Sequence, residues 1–349
     1  MIAFAHLSDT HFGPRLANQG RGLVWGQRPH HVVKCLALPA AFEAACDLMD
    51  TPFDGSALPL VLSGDLTVSG AYEEQAVAQA FLRGRFPISR QPGSAFEMGL
   101  GRRSERMVSA VAGNHDHWGG NRATMPAYNR AIYPHHFRPT PWRKTLTSAD
   151  GHLTLELVGL DSNSGWAPGQ ANQIVGRARG AWAQGSIAAH ELAQMEGWFQ
   201  QGPVAQPRRA AQVVRAVVCH HSLSFRSKLL GREEMDRRSR DRLLQSCADH
   251  AVSAVLTGHT HDATHHTFRP KDRRGNTVAC HELRAAHAVG FGKTKRDDPA
   301  EDVGFLTHRL TRRDDGGVQW DTWRWYWSAD RRYHVKSLDP WHSFTARVL

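Results

Sequence analysis

The chain has 349 residues, with 43 Lys and Arg against 33 Asp and Glu, which gives a formal net charge of +10. Its length allows one large or two ordinary domains. Its 41% hydrophobic and 22% charged residues are typical of a soluble globular protein, and no apolar run approaches the roughly 20 residues of a membrane span.

Location and partners follow from the same features. The N-terminal MIAFAHLSDTHFG enters a strand-like run without a basic leader or cleavable signal, so we expect a cytoplasmic protein with no membrane partner. The basic balance favours anionic partners such as phosphate esters, nucleotides or nucleic acid. The five Cys form no CxxC pair and have no zinc-type spacing. Their odd count and the missing signal argue against a disulfide framework, so we expect small buried side chains.

Strands alternate with helices through the first 260 residues, which predicts an α/β core. Within the first predicted helical segment, 34–50, we expect the helix to start after Pro39, and we expect Ser186 to be the N-cap of the third, 186–201. The predicted strands are 2–8, 59–70 with a break at Gly64, 106–116, 152–162, 213–222 and 251–261. The predicted helices are 34–50, 71–84, 186–201 and 232–250. The segments 85–105 and 163–185 have the composition of an exposed excursion and a long loop.

The last part of the chain, 277–349, contains short β-like runs. One of them, VQWDTWRWYW at 318–327, alternates aromatic and polar residues. Such a run is either a base-stacking surface or a strand with one buried and one partly buried aromatic face, and we favour the strand. We expect residues 1–290 to form the catalytic core and residues 291–349 a β-rich segment packed on it within the same domain.

Five of the predicted strands end in the same way, because each apolar run is followed by carboxylate, amide or imidazole side chains. Open α/β sheets bind ligands beyond the carboxyl ends of their strands, so these strand ends predict one polar pocket. The ends are Asp9-Thr10-His11, Gly64-Asp65, Gly113-Asn114-His115-Asp116, His220-His221 and Gly258-His259-Thr260-His261.

The residue types at these ends predict a metal site. Asp, Asn and His without a thiolate suit Mn²⁺, Fe or Zn²⁺. In Asp9-x-His11 and His259-x-His261, extended residues two apart point the same way, so each pair can face one metal. The glycines before Asp65, Asn114 and His259 allow a sharp exit from strand to loop.

The order of these motifs resembles the calcineurin-like metallophosphoesterase family, whose pattern is D-x-H, G-D, G-N-H-D, H and G-H-x-H. GLDS at 159–162 and GSIAAHELAQMEGWF at 185–199 are similar to a strand and the following helix in its small-phosphodiesterase branch. The LSDTHFG and GNHD contexts resemble the class III cyclic nucleotide phosphodiesterases. The resemblance covers roughly residues 1–290.

The resemblance implies a four-layer α-β-β-α sandwich of the metallophosphoesterase type and two divalent metal ions, with Mn²⁺ expected and Fe or Zn²⁺ as alternatives. It also implies a role for Asp116, which would orient His115, the acid at the leaving group. The implied ligands are Asp9, His11 and His261 for the first metal, Asn114, His220 and His259 for the second, and Asp65 as a bridge. His221 remains an alternative to His220.

The function implied is a phosphodiesterase that hydrolyses a (cyclic) nucleotide or a similar small phosphodiester, through attack by a metal-bridging hydroxide with His115 as general acid. The alternative is a metal-dependent nuclease acting on DNA or RNA. A phosphomonoesterase or protein phosphatase ranks lower, because Asp116 and His117 follow the GNH motif. A non-catalytic binding module ranks last, because every ligand position is retained. The sequence names no substrate-binding residue and no oligomeric state.

Overall fold

A computed structural model describes eleven stretches of the chain, and the statements below concern these stretches. Most of the expected excursion at 85–105 and of the expected loop at 163–185 lies outside them. The described residues are 1–12, 30–51, 58–84, 86–87, 97–100, 108–118, 130–165, 184–202, 211–224, 235–289 and 303–349.

The first large sheet combines the first strands of the chain with its last strands. Its strands are β1 (Ile2–Leu7), β2 (Leu60–Leu62), β5 (Val108–Ala110), β12 (Gly304–Arg312), β13 (Val318–Trp327), β14 (Tyr333–Val335) and β15 (His342–Ala346). Their order is β14-β13-β12-β1-β2-β5, and β15 also pairs with β13. β1, β2 and β5 run parallel to one another, whereas β12 is antiparallel to β1.

The second large sheet contains β6 (Trp142–Thr147), β7 (Leu153–Gly159), β8 (Gln212–Val218), β9 (Val252–Thr257), β10 (Thr264–Phe268) and β11 (Cys280–Arg284). Its order is β10-β11-β9-β8-β7-β6, in which β11, β9, β8 and β7 are parallel. Continuous apolar runs such as VSAVLT in β9 suit strands that are buried on both faces. A small hairpin pairs β3 (Phe86–Pro87) with β4 (Glu97–Met98).

Helices cover the outer face of each sheet. Helices α1 (His30–Leu48) and α2 (Tyr72–Leu82) pack on the first sheet, and α3 (Ala189–Gln200) and α4 (Arg237–Asp249) pack on the second. A separate apolar cluster fills the space between the sheets, with Phe4 and Val61 from one and Leu155 from the other. The layers are therefore α-β-β-α, as the resemblance implied.

Two predicted details are wrong. Helix α1 begins at His30, and Pro39 lies inside it. Helix α3 begins at Ala189 with Ala188 in the N-cap position; the Ser186 hydroxyl instead lies 3.4 Å from that of Ser239.

The tryptophans of β13 are mainly core residues. Trp320 lies in the cluster between the sheets, and Trp323 and Trp325 lie in the cluster under α1. The preference for a strand over a base-stacking surface is confirmed for these three side chains.

All five Cys are free and buried, also as predicted. Within the described ranges, every helix is too short or too polar to cross a lipid bilayer.

Candidate metal centre

The chain turns abruptly where the parallel strands end. Asp9, His11, Asp65, His259 and His261 all have positive φ, between 45° and 73°. This conformation is uncommon for residues with a side chain, and it concentrates at functional sites, where the surrounding structure enforces it. Each of these residues was predicted from the sequence to bind metal.

The glycines beside these turns have no room for a side chain. A Cβ on Gly64, whose φ is +101°, would lie 2.6 Å from Nδ1 of His220. A Cβ on Gly258 would lie 2.7 Å from Oδ2 of Asp9, and one on Gly113 would collide with the carboxylate of Asp65. The glycines therefore allow the polar side chains of neighbouring strands to approach one another.

The structure brings Asp9, His11 and His261 into one group whose ligand atoms lie within 4.8 Å of one another. Nε2 of His261 is 3.2 Å from Oδ1 of Asp9, and Nε2 of His11 is 3.8 Å from the same oxygen. Asp9 is fully buried, whereas the side chain of His261 is 30% exposed. This group is open to solvent on the side of His261.

A second group contains Asp65, His220 and His259. Nε2 of His220 lies 3.3 Å from Oδ2 of Asp65 and 3.1 Å from Nδ1 of His259. Oδ1 of Asn114 is 3.2 Å from the same His220 nitrogen. All four side chains predicted for the second metal or its bridge therefore converge.

Asp65 joins the two groups. Its Oδ2 is 3.9 Å from Nε2 of His11 and 3.9 Å from Nε2 of His115, and these three residues form a third candidate group. Its Oδ1 accepts a hydrogen bond of 2.9 Å from the backbone N–H of His115. The carboxylate thus contacts both groups and the backbone of the predicted acid.

Burial and close charges shift the pKa values of this cluster in opposite directions. Burial alone would raise the pKa of Asp9 and Asp65, but the adjacent imidazoles hold both well below their usual range. Burial would lower the pKa of His220, but the charge and hydrogen bond of Asp65 raise it to about 9. Burial, followed by repulsion from a neighbouring imidazole, lowers the pKa of His11 and His259 to about 3.

The donor set fits divalent metal ions. It combines two carboxylates held in the ionised form with imidazoles and one amide, which are hard to borderline ligands. Nε2 of His220 lies close to three possible ligand atoms, Nδ1 of His259, Oδ2 of Asp65 and Oδ1 of Asn114. A single N–H on this nitrogen could serve only one of them well, whereas a metal ion among the four side chains would bind all of them.

His115 lies on a short 3₁₀ helix, His115–His117, directly after Asn114. Its Nδ1 is 2.8 Å from the carbonyl oxygen of Val68, and its ring lies 3.6 Å from the ring of Trp118. Nε2, the other ring nitrogen, faces Asp65. Burial lowers the pKa of His115, although Asp65 opposes this effect.

Asp116 holds the loop backbone rather than Nδ1 of His115, which differs from the role that the resemblance implied. Its carboxylate accepts hydrogen bonds from the backbone N–H groups of Leu66, Thr67 and Gly113 and from the Thr67 hydroxyl. It therefore ties the loop after β5 to the loop after β2, and so positions the backbone that carries His115.

Sequence reasoning missed a second buried polar network beside the cluster. Nε2 of His117 is 3.0 Å from Oδ2 of Asp161, and Glu191 accepts the backbone N–H of Asp161 at 2.8 Å. The hydroxyl of Ser162 lies 2.8 Å from Nδ1 of His221. The GLDS motif at 159–162 contained both Asp161 and Ser162, but spacing alone gave no partner for either.

Comparison with known proteins identifies the family. The family model described as calcineurin-like phosphoesterase matches residues 2–263. This chain belongs to the calcineurin-like phosphoesterase family. The match spans all the strand ends described above, and members of the family are hydrolases of phosphoric esters.

The other comparisons add little to this family assignment. No curated protein matches the chain. Among solved structures, the crystal structure of a hypothetical protein from Thermus thermophilus is similar to this calcineurin-like phosphoesterase, with 11% sequence identity and a TM-score of 0.32 over 99% of this chain and 100% of that chain.

Proposed function

We propose that this protein is a two-metal phosphodiesterase that hydrolyses a nucleotide, such as a cyclic nucleotide, or a similar small phosphodiester. The observation that supports this proposal best is the pair of ligand groups joined by the buried carboxylate of Asp65. Metals clamped a few ångströms apart serve in-line displacement at phosphorus. The formal charge of +10 is consistent with an anionic substrate.

The proposed ligand sets follow the observed grouping. Two bound divalent ions, with Mn²⁺ expected and Fe or Zn²⁺ as alternatives, would stabilise charge on the phosphoryl oxygens and activate the attacking water. The first set is Asp9, His11 and His261; the second is Asn114, His220 and His259; and Asp65 belongs to both.

The chain's own contribution to the reaction is to position these ligands and a proton donor. His115 donates a proton to the leaving oxygen from Nε2, because its Nδ1 is directed at the carbonyl of Val68. The ring of Trp118 packs against the His115 ring, with the centres 3.6 Å apart and the planes tilted by 35°. Proton donation to a poor leaving group typically contributes about 10²–10⁴-fold.

A nuclease acting on DNA or RNA is the second candidate. The basic balance of the chain supports it. The tryptophans of β13 argue against it. Trp320, Trp323 and Trp325 are buried inside the protein, so their rings are not available for stacking on bases. A phosphomonoesterase or protein phosphatase ranks below both.

The test is hydrolysis by protein that has been stripped of metal and reconstituted with Mn²⁺, with cyclic nucleotides, single-stranded DNA and double-stranded DNA compared in one assay. We expect turnover of the cyclic nucleotide, and loss of at least about 10²-fold in Asn114→Ala, because one ligand of the second metal is removed. Metal content by mass spectrometry checks that the variant has lost one ion.

Each outcome decides between the candidates. Turnover of DNA alone would replace the proposed activity with that of a nuclease. Full activity in Asn114→Ala would contradict the assignment of the metal site. Glu43→Gln, a change at an exposed position of α1, controls for effects of preparation and should match the unmodified protein.

A further inference from the structure

A cavity of about 300 Å³ lies between strand β13 and the segment that connects β14 to β15. Its lining includes two cations, Arg324 and Lys336, two aromatic rings, Tyr326 and Trp341, and the carboxylate of Asp339. This combination is unlike the aliphatic cores of the protein, and none of these residues belongs to the metal cluster.

The cavity opens on the face of β13 that is directed at the second sheet. Alternate residues of a strand point to the same face, so Arg324 and Tyr326 share the face of Trp320. Trp320 is packed in the apolar cluster between the two sheets. Further along the strand, the same face carries the guanidinium of Arg324 and the phenol ring of Tyr326, which are half-buried and line the cavity.

Strand register places this cavity towards the end of the first sheet that carries the ligands. Arg324 pairs with Leu306 of β12, and Leu306 pairs with His6 of β1. Two strand spacings separate Arg324 from His6, which is about 10 Å. His6 precedes Asp9 by three positions, so Arg324 and Tyr326 lie near the end of the sheet that carries the ligands.

A contact from the second sheet supports the same placement. The ring of Trp341 lies 5.1 Å from that of His265 in an edge-to-face arrangement. His265 is in β10, which begins three positions after His261, a proposed ligand of the first metal. Both sheets therefore place the cavity wall towards the end of the fold that carries the proposed ligands.

The walls of the cavity are held in place. Nε1 of Trp323 donates a 2.9 Å hydrogen bond to the carbonyl oxygen of Leu338, which anchors the connecting segment to β13. Nζ of Lys336 lies 5.9 Å from the centre of the Tyr326 ring, within the range of a cation–π contact. The cations and rings are therefore arranged before any ligand binds.

The lining chemistry fits a nucleotide unit better than a bare phosphate. Arg324 and Lys336 would attract a phosphate group, and the rings of Tyr326 and Trp341 offer surfaces for stacking a base. The carboxylate of Asp339 would repel inorganic phosphate, but it can accept a hydrogen bond from an amino or hydroxyl group of a nucleoside.

We propose that this cavity binds a second nucleotide unit of the substrate whose scissile phosphodiester lies at the metal centre. The proposal rests on the proposed function and narrows its substrate class. On this proposal a phosphodiester with two nucleotide units occupies both places, whereas a cyclic mononucleotide occupies only the metal centre. Within the proposed class of small phosphodiesters, dinucleotides are then the preferred substrates.

The experiment compares two phosphodiesters on the Mn²⁺-loaded full chain. Bis(p-nitrophenyl) phosphate carries no nucleotide unit that could fill the cavity, whereas a 5′-phosphorylated dinucleotide does. In the double variant Arg324→Ala/Lys336→Ala, we expect kcat/KM for the dinucleotide to fall at least about tenfold more than for bis(p-nitrophenyl) phosphate, mainly through KM. Tyr326→Leu should cause a smaller loss in the same direction.

The matched control is Arg237→Ala, which removes a cation from an 88% exposed side chain on α4 and should leave both substrates unaffected. Equal losses on both substrates, or no loss on the dinucleotide, would overturn the proposal. If the unmodified protein hydrolyses neither compound, the proposed function fails first. Fluorescence anisotropy with a labelled dinucleotide and metal-stripped protein then tests the cavity directly, and binding that the double variant does not weaken refutes it.

Discussion

His220 and His221 are adjacent in the sequence but contact different parts of the molecule. His220 has Nδ1 2.8 Å from the carbonyl oxygen of Ser63 and Nε2 3.3 Å from Asp65. A hydrogen bond at one ring nitrogen commonly fixes the other for metal binding. His221 instead has Nδ1 2.8 Å from the hydroxyl of Ser162, and its ring lies 4.5 Å from that of His259. This geometry supports the proposal that His220 is the ligand and that His221 packs beside the second site.

We expect His220→Ala to lose one bound metal ion per chain and at least about 10²-fold in kcat. His221→Ala should keep both ions with a weaker second site, because supporting contacts typically change metal affinity about 10–100-fold. Metal content after gel filtration and titration with Mn²⁺ measure the two effects. The reverse pattern, with an ion missing only in His221→Ala, would reassign the ligand.

The role of His115 as proton donor has its own signature. A general acid is needed most when the leaving oxygen is a poor leaving group. We expect His115→Ala to lose about 10²–10⁴-fold on an alkyl or nucleoside phosphodiester, and much less on bis(p-nitrophenyl) phosphate. The ratio of the two kcat/KM values is the measurement. An equal loss on both would assign His115 to metal binding, in the group that it forms with His11 and Asp65.

At the scale of elements, the strand ends were predictable and the helix starts were less so. The carboxyl ends of parallel strands meet at one edge, which is why motifs far apart in sequence predicted one cluster. Pro39 lies inside α1 because Leu38, Ala41 and Phe42 bury apolar surface there, and burial outweighs the lost backbone hydrogen bond. Ser186 is drawn instead into contacts with Gly165 and Ser239.

The turns after the strands make a testable prediction about glycine. Gly64 has φ +101° and a Cβ there would lie 2.6 Å from His220, whereas Gly275 has φ +84° and open space around it. Gly275→Ala measures backbone strain alone, about 1 kcal/mol. We expect Gly64→Ala to lose more stability than this and also to weaken Mn²⁺ binding. Thermal unfolding and metal titration measure both, and equal effects of the two changes would contradict the steric argument.

For the whole molecule, contacts between layers are what the sequence could not predict. His117 and Asp161 follow strands of different sheets, yet Nε2 of His117 meets the carboxylate of Asp161 at 3.0 Å. Glu191 of α3 then accepts the backbone N–H of Asp161. The local pattern of each segment is compatible with many partners, and only the packing of both sheets and α3 selects this network.

This network predicts how stability depends on pH. Burial, and then the charge of Asp161, raise the pKa of Glu191 to about 8. The folded protein therefore holds a proton that the unfolded chain releases near pH 4.5, the ordinary value for Glu. The contribution of Glu191 to the free energy of unfolding is therefore full below pH 4.5 and is lost as the pH rises towards 8. Asp161 affects stability only at a lower pH, because burial would raise its pKa but the neighbouring His117 lowers it to about 2.

We expect Glu191→Gln to remove this part of the pH dependence, because the amide oxygen can still accept the N–H of Asp161 but carries no titrating proton. The free energy of unfolding is measured from pH 5 to pH 8 for both proteins, and the difference between the two curves isolates Glu191 from the titrating histidines of the metal centre. The unmodified protein should lose at least about 1 kcal/mol more than the variant across this range. Parallel curves would mean that Glu191 is ionised throughout, and that the network is held by charge rather than by a buried proton.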